Sequence, residues 1–513
     1  MILCPTLHFQ MGSVSGFSVL LTTIFVYVLF AILLLWRRKR NCVPLPPGPP
    51  GWPIIGNLFQ LGRKPNESLF ALSKRYGPLM TLSLGMKTTV IVSSPEMAKE
   101  FLRTHDHVFA GRVQTQASTT LSHHKSSIVV GEYGPRWQTL RRISSTQLIT
   151  TKMLQSLHHL RRDEVSRMTR TILEMEGKRV NIPHMVFCTG VNVITNMIWS
   201  RSLVDPNSEG SREFQDTLAM IMKIGGTPNV ADIFPFLAFI DPQGLRRRLA
   251  KHLHKIHKLL DVFINDRMEG LGPERRADDK DFLDVLLELR GDDMTLTDIR
   301  AIIYDLIVAG SETTSTALEW VMAELICNPH SMKRVQEELK EVVGYNRQVE
   351  ESDIGKLPYL QAVMKEGFRL HPPLPLLIPH RAESRCEIDG YMIPKHSEVI
   401  VNVWAMGRDP AIWKDPSKFL PERFLESENS NKDFKGRDFD LIPFGSGRRI
   451  CMGLPLANRM VYLILGSLLH SFEWNLPDGQ SELDMRDTFG VTLKKEVDLH
   501  LLPTPRLPHH LYL

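Results

Sequence analysis

The stretch Phe444-Gly445-Ser446-Gly447-Arg448-Arg449-Ile450-Cys451-Met452-Gly453 decides how the rest of the chain is read. Its three glycines permit close backbone approach and left-handed conformations. It runs into a segment of helical periodicity, Pro455–Phe472, so a helix opens at Leu454 or Pro455. A cysteine entering a helix N-terminus has its thiolate stabilised by unpaired amide hydrogens and the helix dipole. That is what an anionic ligand of a soft metal such as iron or copper requires. Two plainer readings stand beside it: Cys451 as a small buried hydrophobe, and the loop as a phosphate cradle. The absence of Lys-Ser/Thr after the loop removes the nucleotide-binding form of the second.

Outward from this loop, helical periodicity dominates. It marks Trp137–Leu148, Leu154–Glu174, Leu245–Arg267, Asp281–Arg290, Asp298–Cys327, His330–Val343 and Leu357–Leu370. Leu79–Leu84 and Thr88–Val92, split by Gly85, read as a hairpin. Cys386–Ile393, with Asp389-Gly390 as a type I′ turn, reads as a second sheet element continued by Ser397–Val401. Phe489–Leu493 reads as a late strand. The fold class expected is mainly α with a smaller β portion.

The front end differs from the rest. Met1 to Trp36 holds no Asp, Glu, Lys or Arg, and Phe17–Trp36 is a 20-residue apolar run followed by Arg37-Arg38-Lys39-Arg40. Twenty helical residues span the ~30 Å of a bilayer core. Basic residues after the span place the remainder on the cytoplasmic side, whereas a cleavable signal peptide carries its charge before a shorter run. The alternatives, a signal peptide or a buried core helix, fit this order less well. Residues 1–40 are therefore expected to be a membrane anchor with a basic stop. Residues 41–60, which include Pro44-Leu45-Pro46-Pro47-Gly48-Pro49-Pro50, are expected to form a semi-rigid hinge rather than a PxxP ligand, and 61–513 the body.

With that basic cluster set aside, the chain, at +5 overall, is close to neutral, which argues against a nucleic-acid partner. Six scattered cysteines without a CxxC pair exclude a disulfide framework and a Cys-rich zinc site. In a cytosolic body the sequon Asn66-Glu67-Ser68 is not a glycosylation site.

The string Phe-x-x-Gly-x-Arg-x-Cys-x-Gly resembles the heme-binding loop of the cytochrome P-450 family. Three further motifs follow the family's order: Ala309-Gly310-Ser311-Glu312-Thr313-Thr314, Glu366-Gly367-Phe368-Arg369 and Pro421-Glu422-Arg423-Phe424. Trp137-x-x-x-Arg141, the Pro-rich hinge and the anchor are similar to the microsomal branch, and the resemblance covers essentially the full chain. Gly226-Thr227-Pro228-Asn229, Asp232-Ile233-Phe234-Pro235 and Gly453-Leu454-Pro455-Leu456-Ala457 resemble the plant class near the geraniol 8-hydroxylase-like group. Two positions depart from the commonest plant pattern: Gly367-Phe368, where Thr-Leu is usual, and Met452.

The resemblance implies heme b held between the long central helix and the cysteine loop, with Cys451 as its axial ligand and Phe444 packed near the sulfur. Arg449, Arg141 and Arg381 are implied to neutralise the heme propionates, with Trp137 as a further donor. Arg448 is expected to be structural or to face the reductase. Thr313 and Glu312 are implied to serve dioxygen activation by moving protons, in a helix bent locally at Gly310. Glu366, Arg369 and Arg423 are implied to form a buried structural triad.

Val308, Ala309, Leu376, Leu377, Ile378, Phe489 and Val491 are expected to face an apolar substrate pocket. The implied activity is O2-dependent oxidation, foremost hydroxylation, of a lipophilic plant metabolite such as a terpenoid or alkaloid. Its electrons come from NADPH through a reductase, at the endoplasmic reticulum membrane. The alternatives are a heme isomerase or dehydratase, an oxidative phenol-coupling enzyme, and a non-catalytic tethered binder.

Overall fold

Leu296–Cys327 forms one unbroken helix through the middle of the molecule (α4 below). Thr295 and Asp298 start it with a reciprocal capping box, and most of its residues are buried. The computed structural model describes residues 43–121, 123–271, 280–291, 294–477 and 482–512, together with 22, 23, 26 and 27. Apart from 22, 23, 26 and 27, the expected anchor, its basic stop and the first residues of the expected hinge lie outside the described residues. Among those described, no helix is long and apolar enough to cross a membrane.

The helices that build the site are α1 (Pro135–Gln147), α2 (Ile182–Trp199), α3 (Glu209–Gly226), α4 (Leu296–Cys327), α5 (Pro358–Leu370) and α6 (Leu454–Ser471). Helix α2 lies along α4 and is buried at every position except Asn196. A helix apolar on all faces shows no 3.6-residue alternation, which is why periodicity reading passed over it. Its start is set by Asn181, whose side chain accepts from the His184 amide at 2.9 Å.

Five strands, β1 (Leu79–Leu84), β2 (Lys87–Val92), β3 (Gly111–Arg112), β4 (His380–Arg381) and β5 (Glu398–Val401), form a sheet in the order β1-β2-β5-β4-β3. Only the β2–β5 pair is parallel. Cys386–Ile388 and Tyr391–Ile393 pair across Asp389 and Gly390, both at positive φ (51° and 74°), as a type I′ turn requires. Strands β6 (Asp487–Thr488) and β7 (Lys494–Lys495) form a small hairpin. Phe489–Leu493, expected as a strand, is the loop of this hairpin. Its apolar residues are held by side-chain packing and by single backbone hydrogen bonds to neighbouring segments rather than by a ladder. Asn66 is fully buried, so the sequon is closed to modification in the folded chain.

Behind the cysteine loop, Glu366 and Arg369 pair in a fork (2.7 Å each), and Arg423 Nε donates to the same carboxylate at 3.0 Å. All three side chains are buried. The guanidiniums spend their remaining donors on backbone carbonyls of residues 407–418, and Glu366 Oε1 also accepts from the Leu420 amide. The three charges thus pin an irregular segment to α5. Gly367 has a steric reason to be there: a Cβ on it would lie 2.2 Å from Val321 Cγ2 of α4. Its absence lets α5 sit closer to the central helix.

Candidate active site

Between α4, α2 and the 443–453 loop lies a cavity of about 1730 Å³ of atom-free space, part of it open to solvent. The loop's shape follows from its glycines. Gly445 and Gly447 take positive φ (69° and 66°), and a Cβ on Gly447 would lie 1.8 Å from the Leu102 carbonyl oxygen. The Cys451 amide donates to Phe444 O at 3.0 Å, closing the loop so that the sulfur faces the cavity just ahead of α6. Burial pushes the Cys451 thiol up, while the Gly453 and Leu454 amides and Arg141 pull it down. Phe444 is fixed by edge-on contact with Phe368, ring centroids 5.4 Å apart, and by Phe434.

Three guanidiniums converge at one end of the cavity, those of Arg112, Arg141 and Arg449. Arg449 donates to Ala110 O, Ile128 O and Gly131 O, Arg112 to Val129 O, Ile378 O and Pro379 O, and Arg141 to Ile450 O. All these acceptors are neutral carbonyls; among the described residues no carboxylate pairs with the three. Desolvation followed by the field of Arg141 lowers Arg449 to about 9, and burial with its two cationic neighbours lowers Arg112 well below its usual value. Buried charge left uncompensated in this way is costly. The arrangement calls for an anionic group in the cavity.

Two expectations about this end of the cavity need correction. Arg381 does not face it: the side chain turns outward to Glu383 (2.9 Å) and Glu132 (3.2 Å). Strand neighbours point to opposite faces, so His380 lines the cavity instead, its Nδ1 2.7 Å from Phe109 O and its pKa pushed far down by burial and by Arg112. Trp137 has no donor to spare, because its indole N–H goes to Ile128 O at 2.9 Å. Its ring serves the cluster as a platform, with the guanidinium carbons of Arg449 at 4.1 Å and Arg141 at 5.3 Å. Sequence reading missed Arg112 altogether; it sits in a two-residue strand with no motif around it. Arg448 lies outside the cavity, bonded to Asp106 and Tyr133.

On α4, Ala309, Gly310, Thr313 and Thr314 face the cavity. Thr313 Oγ1 donates to Ala309 O at 2.7 Å and Thr314 Oγ1 to Gly310 O at 2.9 Å. The helix carries these back-bonds without a break at Gly310. Glu312 points away from the cavity. Of the expected substrate contacts, Ala309, Leu377 and Ile378 line the cavity, joined by Val193, Ile194 and Met197 of α2. Val308 is in the core, Leu376 packs toward the Leu69 cluster, and Phe489 and Val491 belong to the β6–β7 loop beside α3. Asp305 sits at the cavity edge and accepts from Ser127 Oγ and the Ile128 and Val129 amides, fixing the loop whose carbonyls Arg449 and Trp137 use. Burial raises it to about 6 against those hydrogen bonds.

The cytochrome P450 family model matches residues 46–502. Geraniol 8-hydroxylase of Catharanthus roseus is 43% identical over 95% of this chain and 99% of its own length. Cytochrome P450 76C1 of Arabidopsis thaliana is 42% identical over 97% and 99%. Iridoid oxidase of Catharanthus roseus is 39% identical over 94% and 96%. The cavity fits heme on its own terms, offering a soft thiolate at one wall and, at one end, unmatched guanidiniums suited to two carboxylates. Matched by the family almost end to end, and by these relatives over nearly their whole length, the chain belongs to the cytochrome P450 family and is a heme b monooxygenase that uses O2 and NADPH-derived electrons.

Proposed function

We propose that the enzyme hydroxylates an uncharged terpenoid. The observation that carries this is the cavity wall beyond the cysteine: apart from the threonines of α4 it is built from Ala309, Val193, Ile194, Met197, Leu377 and Ile378. Such a wall holds a hydrocarbon skeleton by area, and the carboxylate in the lining, Asp305, is taken up by Ser127 and the Ile128 and Val129 amides. The names of the relatives, geraniol 8-hydroxylase and iridoid oxidase, point to the same substrate class.

In this reading Cys451 ligates the iron, and Arg112, Arg141 and Arg449, with His380 beside them, hold the propionates. Bound heme supplies an iron that takes dioxygen and electrons, and thiolate ligation, as in P450s generally, favours O–O cleavage. The protein's own residues do the rest. Phe444 shields the sulfur from water. The apolar wall orients the substrate and excludes solvent. Thr313 Oγ1 leaves its Ala309 carbonyl to hold a cavity water, and Glu312 passes protons inward. Glu366, Arg369 and Arg423 keep the loop's foundation fixed.

The body at 61–513 is carried on an anchor at 1–40 through a hinge at 41–60, facing the cytoplasm at the endoplasmic reticulum, where an NADPH-dependent reductase supplies electrons. The surface supports this placement. Trp52, Ile54, Phe59, Met86, Phe236 and Phe239 are all more than 60% exposed. A bridge between Gly56 and Leu84, and the Met86 amide on Ile233 O, bring their three segments together on one side. An apolar area of that kind fits the lipid surface to which the hinge leads.

The test is turnover of a panel of monoterpene alcohols, alkaloids and phenolics by the full chain with reductase and NADPH. Hydroxylated monoterpene with NADPH-dependent incorporation of oxygen from O2 is the expected product. NADPH-independent isomerisation, or coupled phenols alone, would overturn the proposal. In the same assay Thr313→Ala is expected to keep substrate affinity but to lower product per NADPH, by up to about 10²-fold for loss of a positioned proton-transfer group. Peroxide released in its place would account for the electrons.

A further inference from the structure

Two histidines that the heme site does not use meet in the interior. His123, at the start of the segment 123–131, is 2% exposed, and neither of its ring nitrogens has a hydrogen-bond partner among the described residues. His257 comes from the opposite side, on the helix Leu245–Met268. It is half-buried, but its Nε2 is closed to solvent and likewise without a partner among the described residues. The two ring centroids are 5.0 Å apart, with the planes at 58°. Tyr304 of α4 closes the third side, its ring edge-on to both, at 4.9 Å from His123 and 5.9 Å from His257.

Buried polar atoms without partners are costly, and each calls for a reason. Packing does not supply one, because a leucine or phenylalanine would fill the same space without that cost. Burial, then the field of His257, lowers His123 to about 4, and burial lowers His257 too, opposed by Asp261 one turn further along its helix. Both rings are therefore neutral near pH 7 and have lone pairs to offer, the form in which imidazole binds a metal. Their spacing suits a shared ion. With Zn–N of about 2.0–2.1 Å and about 1.1 Å more from nitrogen to ring centre, two imidazoles at a tetrahedral angle have centroids ~5 Å apart. The soft χ2 torsion of histidine lets His123 turn either nitrogen toward the common point.

Access and charge decide what can bind. His123 also lines a depression of about 990 Å³ of atom-free space, part of it open to solvent, beside Lys125, Arg136 and Asp298. A small hydrated ion can reach the rings from there. Arg300 of α4 acts on both imidazoles, but its own charge is held by Asp261. Among the described residues no third His, Cys, Asp or Glu completes a ligand cluster, so the remaining positions fall to water and the affinity expected is micromolar rather than tight. Neutral nitrogen donors select a late first-row cation over calcium or magnesium, which take oxygen.

We propose that His123 and His257 form a binding site for a late divalent transition cation, Zn2+ foremost, and that the ion fastens the helix Leu245–Met268 to the segment 123–131. The Ile128 and Gly131 carbonyls of that segment receive Arg449 and Trp137, and its Ile128 and Val129 amides are tied to Asp305. The ion thus steadies one end of the heme cavity without touching the heme, and the site is independent of which substrate the enzyme takes.

The test is titration of zinc into the purified full-length holoenzyme after dialysis against chelator, with zinc-edge X-ray absorption on the loaded protein. The expected result is one saturable site of micromolar affinity, with two imidazole nitrogens and no sulfur on the zinc, lost in His123→Leu and in His257→Leu. It should persist when the exposed pairs His158–His159 and His509–His510 are each changed to glutamine. Bound zinc should also slow amide hydrogen exchange across 123–131 in the wild type and leave it unchanged in the leucine variants. The heme spectrum confirms that each variant is folded, and phenylalanine replaces any leucine that is not tolerated. A wild type that binds no zinc below millimolar concentration, zinc carrying sulfur, or binding that survives in either variant overturns the proposal. Unchanged exchange across 123–131 in the zinc-loaded wild type overturns it as well.

Discussion

Glu366→Ala is expected to prevent accumulation of folded protein. The substitution removes the carboxylate shared by Arg369 and Arg423, both buried, and leaves two guanidiniums facing only carbonyls. Breaking a buried ion pair by deleting one partner costs about 3–5 kcal/mol, a large part of a typical domain's ~5–15 kcal/mol stability. The same carboxylate also accepts from the Leu420 amide, so the 407–423 segment loses its ties to α5 through Leu420 and Arg423 together and keeps those that Arg369 makes. The measurement is soluble yield and the thermal midpoint of apoprotein. A glutamine at 366 keeps the shape and part of the hydrogen bonding, and should fall between alanine and wild type. Folded Glu366→Ala with an unchanged midpoint would show that the triad is dispensable.

The second large effect concerns heme retention. Arg112, Arg141 and Arg449 lie together with no carboxylate paired to any of them among the described residues; burial lowers all three pKa values, and neighbouring guanidiniums add to the shift of Arg112 and Arg449. Two propionates would relieve that. A hydrogen bond to a charged group contributes about 1.5–3 kcal/mol net, so Arg449→Leu is expected to weaken heme binding by roughly 10- to 100-fold, measured as the rate of heme transfer to a competing apoprotein. Arg381→Ala is the control. Its partially exposed pairs with Glu132 and Glu383 are worth at most about 1 kcal/mol, and heme retention should be unchanged. If Arg381→Ala lost heme as readily as Arg449→Leu, the assignment of the cluster would be wrong.

The contrast between these two arginines shows where sequence reading ends. Cys451, Phe444 and Arg449 belong to one contiguous loop whose glycines dictate its path, so their convergence on the cavity was legible. Glu366 and Arg369 were legible for the same reason, being three apart on one helix face. His380 and Arg381 differ by a single strand register, and nothing in the two-residue strand β4 indicates which of them faces inward. Trp137 was placed correctly but given the wrong bond, because its acceptor, the Ile128 carbonyl, lies in a loop that is held by Asp305 from a distant helix. Arg112 and the wall of α2 depend on long-range packing that carries no local pattern. Phe489–Leu493 has strand-like composition, yet its neighbours are the ends of other elements rather than a partner strand. The unusual Gly367 had no visible reason until Val321 was found against it.

The central claim is that Cys451 ligates heme iron as a thiolate, and the reduced, carbon-monoxide difference spectrum of the full chain in membranes tests it most directly. The account predicts a strongly red-shifted Soret band in the wild type that disappears in Cys451→Ser. A well-folded wild type without that band, or a Cys451→Ser variant that keeps it, would contradict the account.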